Sequence, residues 1–262
     1  MKGRMYKYIH CFIYLCMLNA NLLDIKTRME ITMYDNLLLL PLFQGLSKND
    51  MTTIIEKVKL HFLTYQKGET ILQQGEPCNQ LCFLLNGEVM VQTKDAHNDF
   101  SLSEILKEPY IIEPQSVFGM YTHYTASYLA HTPVNVMTID KSFILSELCN
   151  HEIFRINYLN ILSNRAQVTY QKLWNTHIGT IDEKFMNFIA HRSQLQEGEK
   201  RLTITMEDLS NLINETRINL SRLLNDLQSK GLVQLKRKEI FIPRFEQLVA
   251  HLTESFPNDI EP

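Results

Sequence analysis

The residues best suited to chemistry lie on one predicted helix that begins after Thr216. Arg217 and Arg222 share its polar face. The opposite, apolar face carries Leu220, Leu223, Leu224 and Leu227. An arginine guanidinium can bind guanine O6 and N7 together, an asparagine amide can read adenine, and an isoleucine can contact only a thymine methyl group. The spacing therefore predicts a helix that reads base edges in the major groove of DNA.

A short basic segment follows this helix. Residues 232–235 and 239–242 are typical of two strands, and Lys236, Arg237 and Lys238 join them in a basic tip suited to phosphate contact. From position 216 to position 238 there are six basic residues and one acid, a local charge of +5. The predicted DNA interface comprises Thr216, Arg217, Ile218, Asn219, Ser221, Arg222, Asn225, Lys236, Arg237 and Lys238.

The composition of the whole chain gives no such hint. Its 262 residues carry a formal net charge of -3, with 45% hydrophobic and 21% charged residues. These values are typical of a globular protein and exclude a disordered tail or a fibrous protein. A protein whose whole surface binds nucleic acid would carry an excess of lysine and arginine. DNA binding is therefore predicted from local charge alone.

A shorter helix precedes the reading helix and must position it. Thr205 is predicted to cap this first helix, with Asp208 three residues later. Asn214 interrupts the pattern, and asparagine tolerates the left-handed conformation that a tight turn needs. Thr216 is predicted to cap the second helix, and Gly231 is predicted to end it. Two helices joined by so short a turn match a helix-turn-helix unit, whereas a solvated helix pair with a purely structural role is the alternative.

One long helix is predicted over residues 151–177. Apolar and small residues along it alternate steps of three and four, which is typical of a coiled-coil seam. The seam consists of Ile156, Leu159, Ser163, Ala166, Tyr170 and Leu173. A second apolar stripe lies off the seam and consists of Phe154, Tyr158, Ile161, Leu162 and Val168. A helix that is apolar on two sides needs two partners. We expect a homodimer interface at the seam and the chain's own strands at the second stripe; one broad core face in a monomer is the alternative.

Between residues 60 and 140 the pattern changes to short apolar runs separated by turns. Gly68, Gly75 and Gly87 each precede a glutamate, and Asn86-Gly87 is the strongest kind of two-residue hairpin signal. About seven or eight short strands are predicted, which implies a compact antiparallel roll or barrel. The predicted fold class is α+β, with an antiparallel, jelly-roll-like β-roll, a long dimerisation helix and a winged helix-turn-helix domain.

The predicted boundaries divide the chain into five segments. These are an N-terminal extension (1–33), a β-roll sensor domain (34–148), the dimerisation helix (149–178), the winged helix-turn-helix domain (179–252) and a tail (253–262). In the extension, basic residues precede an apolar stretch from Tyr8 to Leu18 that is too short to span a bilayer. An over-extended translation start is favoured, and a genuine extension and an export or anchoring signal are the alternatives.

The winged helix pattern at 204–224 resembles the DNA-binding domain of the Crp/Fnr family, and the Gly-Glu pairs around residues 81–85 are similar to that family's cyclic-nucleotide-binding-type β-roll. The resemblance covers roughly residues 35 to 250. It implies a homodimeric, sequence-specific transcription regulator.

The resemblance also implies roles for single residues of the reading helix. Arg217 and Arg222 take the positions of two base-reading arginines. Ile218 stands where many members have a glutamate, so the half-site read here should differ from the usual one. Asn219 and Thr216 would contact the backbone or phosphates.

An effector site is implied in the β-roll. Members that bind cyclic AMP carry a Gly-Glu pair and an Arg-Ser/Thr pair, whereas the matching stretches at 118–120 and 125–127 lack both the carboxylate and the guanidinium. No lysine or arginine occurs between Lys107 and Lys141, so a bound cyclic phosphate would have no cation. The candidate effector pocket comprises Phe118, Gly119, Met120, Tyr121, Thr125, Ala126 and Ser127. We expect it not to bind cyclic AMP; an apolar or aromatic effector and ordinary core packing are both open.

No cofactor, metal or catalytic chemistry is predicted. The cysteines number five at irregular spacing, which favours a reducing compartment over disulfides, and Cys78 and Cys82 lie one residue further apart than the usual ligand pair. The sequence contains no P-loop, nucleophile elbow or His-Glu metal motif, so an enzyme is not expected. The predicted partners are double-stranded DNA with a palindromic site, a second copy of the chain and RNA polymerase. No association with a membrane is predicted, and the predicted location is the cytoplasm. The alternative is a ligand-binding or assembly module of the same fold without specific DNA binding.

Overall fold

The computed structural model describes residues 37–95, 100–174 and 179–254. Their contacts divide them into two compact units. The first unit contains the described residues up to Val89, together with Lys107–Thr125 and Leu129–Asn164. The second unit contains Met90–Leu106, Ala126–Tyr128 and the described residues from Arg165 onward. The predicted N-terminal extension and residues 255–262 of the predicted tail lie outside the described residues, and the last helix includes positions 253 and 254, which were predicted as tail.

The described part of residues 60–140 forms eight strands, in agreement with the predicted roll. A tight turn at Gly87, with a φ of 91°, separates the third strand from the fourth. A Cβ atom at this position would lie 2.3 Å from the carbonyl oxygen of Pro133, so only glycine fits. The strands are β1 (Leu60–Tyr65), β2 (Thr70–Leu72), β3 (Gln80–Asn86), β4 (Glu88–Lys94), β5 (Ser101–Lys107), β6 (Tyr110–Ile112), β7 (Ser127–Ala130) and β8 (Val134–Asp140).

The first unit is built around an antiparallel sheet with the strand order β1-β8-β3-β6. Helix α1 (Lys48–Lys57) begins at the predicted cap, where the Asp50 backbone N–H donates to Ser47 Oγ at 3.1 Å. The core of the first unit contains Phe43, whose ring centroid lies 5.6 Å from that of Phe83 and 5.6 Å from that of Phe154. The unit also contains α2 (Lys141–Ser146), two 3-10 turns (Pro114–Ser116 and Leu148–Asn150) and the start of α3 (Glu152–Trp174).

Helix α3 has the two faces that the sequence predicts over most of its length. Phe154 and Tyr158 are buried, and the Tyr158 hydroxyl donates to the carbonyl of Pro114 at 2.6 Å. Val168 is 46% exposed, so its prediction as part of the inward stripe is wrong. The reason is that the first unit extends along this helix only to Asn164. The predicted end at 175–177 lies outside the described residues.

The second unit contains the predicted winged helix and one strand that the sequence did not predict. Its sheet has the order β10-β11-β9-β5-β4, so β9 pairs with β11 on one side and with β5 on the other. Leu209, Leu220 and Phe185 belong to the apolar core of this unit. The elements are α4 (Ile181–Arg192), β9 (Lys200–Thr203), α5 (Met206–Leu212), α6 (Arg217–Ser229), β10 (Gln234–Lys236), β11 (Glu239–Ile242) and α7 (Phe245–Glu254). The predicted α+β class with antiparallel strands is confirmed.

Candidate nucleic-acid interface

The ends of helices α5 and α6 follow the predicted chemistry. Thr205 caps α5, because its Oγ1 accepts the backbone N–H of Asp208 at 3.1 Å. Asn214 adopts a φ of 53° in the turn, the left-handed conformation expected of it. Thr216 caps α6 in the same way, since its Oγ1 accepts the Asn219 backbone N–H at 3.2 Å. Local sequence therefore determines where the reading helix begins.

The C-terminal end of α6 is closed by a Schellman motif. The N–H of Gly231, which has a φ of 71°, donates to the carbonyl of Gln228 at 2.9 Å. The N–H of Leu232 donates to the carbonyl of Leu227 at 3.0 Å. Because Leu232 completes the helix end, β10 starts at Gln234 and not at position 232 as predicted.

One face of α6 is apolar and buried, and the other is polar and exposed. Leu220, Leu223, Leu224 and Leu227 are buried. The exposed residues include all ten of the predicted DNA interface: Thr216, Arg217, Ile218, Asn219, Ser221, Arg222, Asn225, Lys236, Arg237 and Lys238. Ile218 is 65% exposed, although burying such a side chain would be favourable. An apolar side chain held in solvent between two arginines is suited to a partner with an apolar group, such as a thymine methyl.

An open groove runs along the exposed face of α6. Arg217, Ile218, Ser221, Arg222, Asn225 and Met206 line it. Met206 was not predicted as a site residue. Its position as the first residue of α5, directly after the Thr205 cap, was the available signal. The groove therefore combines side chains of both helices.

Arg217 of this face lies beside a carboxylate of helix α5. Arg217 Nη1 lies 3.8 Å from Glu207 Oε2, and both side chains are about two-thirds exposed. Such an exposed pair contributes little to stability and is screened by salt. Glu207, a residue that sequence reasoning missed, nevertheless keeps a carboxylate beside a predicted base-reading guanidinium.

The wing differs slightly from the prediction. Lys236 ends strand β10 instead of lying in the tip, and its Nζ lies 3.3 Å from Glu239 Oε1. Arg237 and Lys238 form the turn, with Lys238 at a φ of 59°. All three side chains are exposed, so the basic character of the wing is retained.

A half-buried ion pair supports the turn between α5 and α6. Lys184 Nζ on helix α4 donates to Glu215 Oε1 at 2.8 Å, and the two side chains are 16% and 19% exposed. The hydrogen bond from Lys184 lowers the pKa of the Glu215 carboxyl below its ordinary value. The turn is thus tied to the core helix of the winged domain.

The candidate effector residues of the first unit do not enclose a charged site. Met120 and Tyr121 are exposed, and the Tyr121 ring lies 4.8 Å from that of His123. Phe118 is partly buried beneath Lys141 Nζ, which lies 4.9 Å from the ring centroid. Gly119 and Thr125 are exposed. In the second unit, Ala126 is buried and Ser127 is partly buried.

A buried glutamate holds the end of this stretch in the first unit. Glu113 is fully buried and has a φ of 39°, which is uncommon for a residue with a side chain. Its Oε2 and Oε1 accept the Thr125 backbone N–H at 2.9 and 3.0 Å. The Ser116 hydroxyl donates to the same carboxylate at 2.7 Å. The N–H of Thr125 is therefore already bound to an anion that belongs to the chain, a feature that sequence reasoning missed.

Two segments of the chain match known domain families. The cyclic nucleotide-binding domain matches residues 62–151, and the Crp-like helix-turn-helix domain matches residues 183–251. The chain belongs to the Crp/Fnr family. It is a Crp-like transcriptional regulator with a helix-turn-helix DNA-binding domain, and not an enzyme.

Curated proteins resemble the chain at low identity. The CRP-like cAMP-activated global transcriptional regulator of Mycobacterium tuberculosis is 22% identical, over 79% of this chain and 94% of that protein. Electron transport regulator A of Shewanella oneidensis is 24% identical, over 76% of this chain and 80% of that protein. The solved structure of the Thermus thermophilus catabolite activator protein matches with a TM-score of 0.43 and 16% identity, over 82% of this chain and 99% of that chain.

The cysteines of this Crp/Fnr member are not arranged as metal ligands in the described part of the chain, where no group of three or more potential ligand residues occurs. Cys78 and Cys82 are free and buried, and burial raises the pKa of Cys82 to about 12. Burial also raises the pKa of Cys78, so both thiols are held in their neutral form. Cys11 and Cys16 lie outside the described residues.

Within the same described residues, no helix is both long and apolar enough to cross a membrane.

Proposed function

We propose that this Crp/Fnr member acts as a homodimer that recognises a palindromic DNA site with two copies of helix α6. The exposed polar face of α6, with Arg217 and Arg222 on either side of Ile218, is the observation that carries the proposal. Such a helix reads base edges in the major groove, and the basic wing contacts phosphates. Two copies related by a two-fold axis would contact successive major grooves about 34 Å apart.

The proposed dimer interface is the exposed seam of α3, and its occupant is the same helix of a second copy. Ile156 is 46% exposed, Leu159 is 56% exposed and Tyr170 is 62% exposed. Ser163 and Ala166 are also exposed, and the side chain of Leu173 lies outside the described set. These residues recur at the coiled-coil spacing, and an identical helix presents the complementary seam.

The proposed effector is not cyclic AMP, and no cofactor is proposed. The first unit supports this in two ways. The stretch from 108 to 140 contains no lysine or arginine, and the Thr125 N–H is bound to the Glu113 carboxylate. A cyclic phosphate at this N–H would meet a buried negative charge. The identity of any effector for the stretch at 118–127 is open.

The proposed setting is the cytoplasm, where DNA is accessible and the thiols of Cys78, Cys82 and Cys149 stay reduced. RNA polymerase is the proposed protein partner, because it is the enzyme whose activity a transcription regulator changes.

Selection from random duplexes at low salt tests the DNA proposal. We expect the wild-type protein to enrich a palindromic site. Arg217→Ala is expected to lose roughly 1 to 3 kcal/mol of binding energy and to relax one base position in each half-site. Lys67→Ala, which removes the same charge from an exposed turn of the first unit, is the matched control and should keep the wild-type site.

Two results would contradict this proposal. Uniform weakening on all sequences would make Arg217 a phosphate contact. Failure of the wild-type protein to enrich any site would favour a ligand-binding or assembly module of the same fold.

Sedimentation of Leu159→Glu tests the dimer. Two glutamates facing each other in an apolar seam lose their hydration, so the variant is expected to sediment as a monomer. Asn160→Glu, an exposed neighbour outside the seam, adds the same charge and should remain dimeric. A dimer in both variants would place the interface elsewhere.

A further inference from the structure

The second unit joins a strand of the cyclic nucleotide-binding domain to the winged helix. Strand β5 lies within the segment 62–151 matched by that domain, whereas β9 lies within the helix-turn-helix match. The two strands pair antiparallel over four positions, from Ser101 opposite Thr203 to Glu104 opposite Lys200. One hydrogen-bonded sheet therefore contains elements of both domains.

A buried ion pair lies at one end of this pairing. Lys200 Nζ donates to Glu104 Oε2 at 2.6 Å, and the two side chains are 1% and 3% exposed. Glu104 also accepts the backbone N–H of Gln194 at 2.6 Å and that of Leu195 at 3.1 Å. Buried charges are costly unless they are paired and hydrogen-bonded, and here both conditions are met.

The ion pair specifies the register of the two strands. A shift of β5 by one residue along β9 would turn Glu104 to the opposite face and leave Lys200 buried without its partner. Two apolar residues of similar size would stabilise the unit equally well, but they would tolerate a shift by two residues, which keeps the same face inward, whereas the charged pair would lose its partner. Register is therefore what the charged pair contributes beyond packing.

Apolar contacts on the same strand reinforce this register. Leu102 is buried in the core of the winged domain opposite Leu202. The ring of Phe100 lies 5.6 Å from that of Phe188, and the Arg192 guanidinium lies 3.9 Å from the Phe188 centroid. Residues of β5 and the adjacent Phe100 thus pack against the winged-helix core.

The pairing is directly connected to the DNA-reading elements and to the candidate effector stretch. Strand β9 ends at Thr203, two residues before the Thr205 cap of α5. At the other end, Gln194 Nε2 donates to the hydroxyl of Tyr128 at 2.9 Å. Tyr128 is fully buried and follows Ser127, the last residue of the candidate effector pocket.

We propose that Glu104 and Lys200 are positioning residues, which lock β5 onto β9 and thereby set the position of helix α6 in the DNA-bound dimer. This inference rests on the proposed function. In a dimer, the position of the two reading helices determines the spacing of the half-sites. Loss of the lock is therefore expected to relax the spacing requirement while each α6 still reads its own half-site.

The test uses the full chain and a series of duplexes that carry the same two half-sites at spacings changed one base pair at a time. Wild-type protein should prefer one spacing. Lys200→Met should reduce that preference by roughly five- to tenfold, a typical size for coupling between linked sites, with the base preference within each half-site unchanged. Arg201→Met removes the same charge from the exposed face of β9 and should keep the wild-type spacing profile.

A double variant, Glu104→Gln with Lys200→Met, guards against loss of folding in the single variant. In the wild-type protein Gln194 and Leu195 donate to different oxygens of Glu104. The single amide oxygen of glutamine can still accept one of these two N–H groups, and no charge is left unpaired. The double variant should also relax the spacing. In both variants, hydrogen exchange should become faster at residues 101–104 and 200–203 and stay slow in the α6 core.

The outcomes separate this inference from the proposed function. If the wild-type protein binds no palindrome, the proposed function fails. Hydrogen exchange tests the lock separately, and unchanged exchange at β5 and β9 in the variants would overturn it. If the variants bind every spacing more weakly by the same factor, the pair serves stability alone and the inference is wrong. An unchanged spacing profile with faster exchange would also overturn it.

Discussion

The reading face of α6 and the turn at Glu113 differ in the exposure of their charged side chains. On α6, Arg217 and Arg222 are exposed beside an exposed Ile218. At the turn, the Glu113 carboxylate is fully buried and accepts hydrogen bonds from Thr125 and Ser116. In the first region the side chains are exposed to an external partner, whereas in the second the carboxylate is hydrogen-bonded within the chain. The difference favours α6 as the surface proposed for recognition and indicates a structural role for the turn.

Replacing the buried Glu113 carboxylate should cause the greatest loss of stability. Glu113→Ala removes the acceptor of the Thr125 N–H and the Ser116 hydroxyl, and hydrogen bonds to a charged group contribute more than neutral ones. We expect the free energy of unfolding to fall by roughly 2 to 3 kcal/mol, measured by urea denaturation. The base preference of the folded protein should not change.

The control for this variant is Glu56→Ala, which removes an exposed carboxylate from α1 in the same unit. It should change the free energy of unfolding by less than about 0.5 kcal/mol. Tight binding of cyclic AMP by Glu113→Ala, but not by the wild-type protein, would show that the carboxylate also excludes a phosphate. An unchanged unfolding energy would contradict the structural role.

A substitution of Ile218 on the exposed face of α6 should have a smaller effect, on base preference. Ile218→Glu replaces a group that can contact only a thymine methyl with one that can accept from cytosine N4. The preferred base at one position should change to cytosine, with a difference of roughly 1 to 2 kcal/mol between the old and new sites. Competition binding with paired duplexes measures it.

Gln228→Glu adds the same charge to an exposed position of α6 outside the groove. This control should weaken all duplexes slightly and equally. If Ile218→Glu behaves in the same way, Ile218 does not read a base.

The smallest effect concerns the support of the turn before α6. Glu215→Gln should lower the free energy of unfolding by roughly 0.5 to 1 kcal/mol at neutral pH, because the ion pair with Lys184 is lost. The folded-state pKa of Glu215 is lowered from 4.5, so its contribution is complete above that pH and disappears as the pH falls through the lowered value. The unfolding free energies of the wild-type protein and of Glu215→Gln, measured at several pH values, should therefore converge in acid.

Glu197→Gln, an exposed residue in the loop before β9, should show no such pH-dependent difference from the wild-type protein. A Glu215→Gln difference that persists in acid would mean that packing, and not charge, supports the turn.

Local elements of the DNA-binding domain were predictable because their signals lie within a few residues. The caps at Thr205 and Thr216, the left-handed Asn214 and the glycine end at Gly231 each depend on hydrogen bonds to adjacent backbone. The leucine stripe of α6 follows from helical periodicity in the same way. These features determine which residues of α6 are exposed, so the residues of the proposed reading face could be named from the sequence.

Features that depend on distant residues were not predictable. Strand β9 has four residues and no strong periodic pattern, and it forms only because β5 and β11 pair with it. Glu104 and Lys200 are 96 positions apart, and no spacing rule connects them. Glu113 resembles any surface glutamate until the fold brings Thr125, twelve positions away, to its carboxylate.

By itself, the sequence determined the class of this protein and the chemistry of its reading helix, because capping, periodicity and local charge act over one or two turns of chain. The tertiary structure alone decided which charges are buried. It made Glu113 an internal anion and Glu104 the partner of Lys200. The physical reason is that the desolvation of a charge depends on every element packed around it, and its cost is met only by partners that folding brings from elsewhere in the chain.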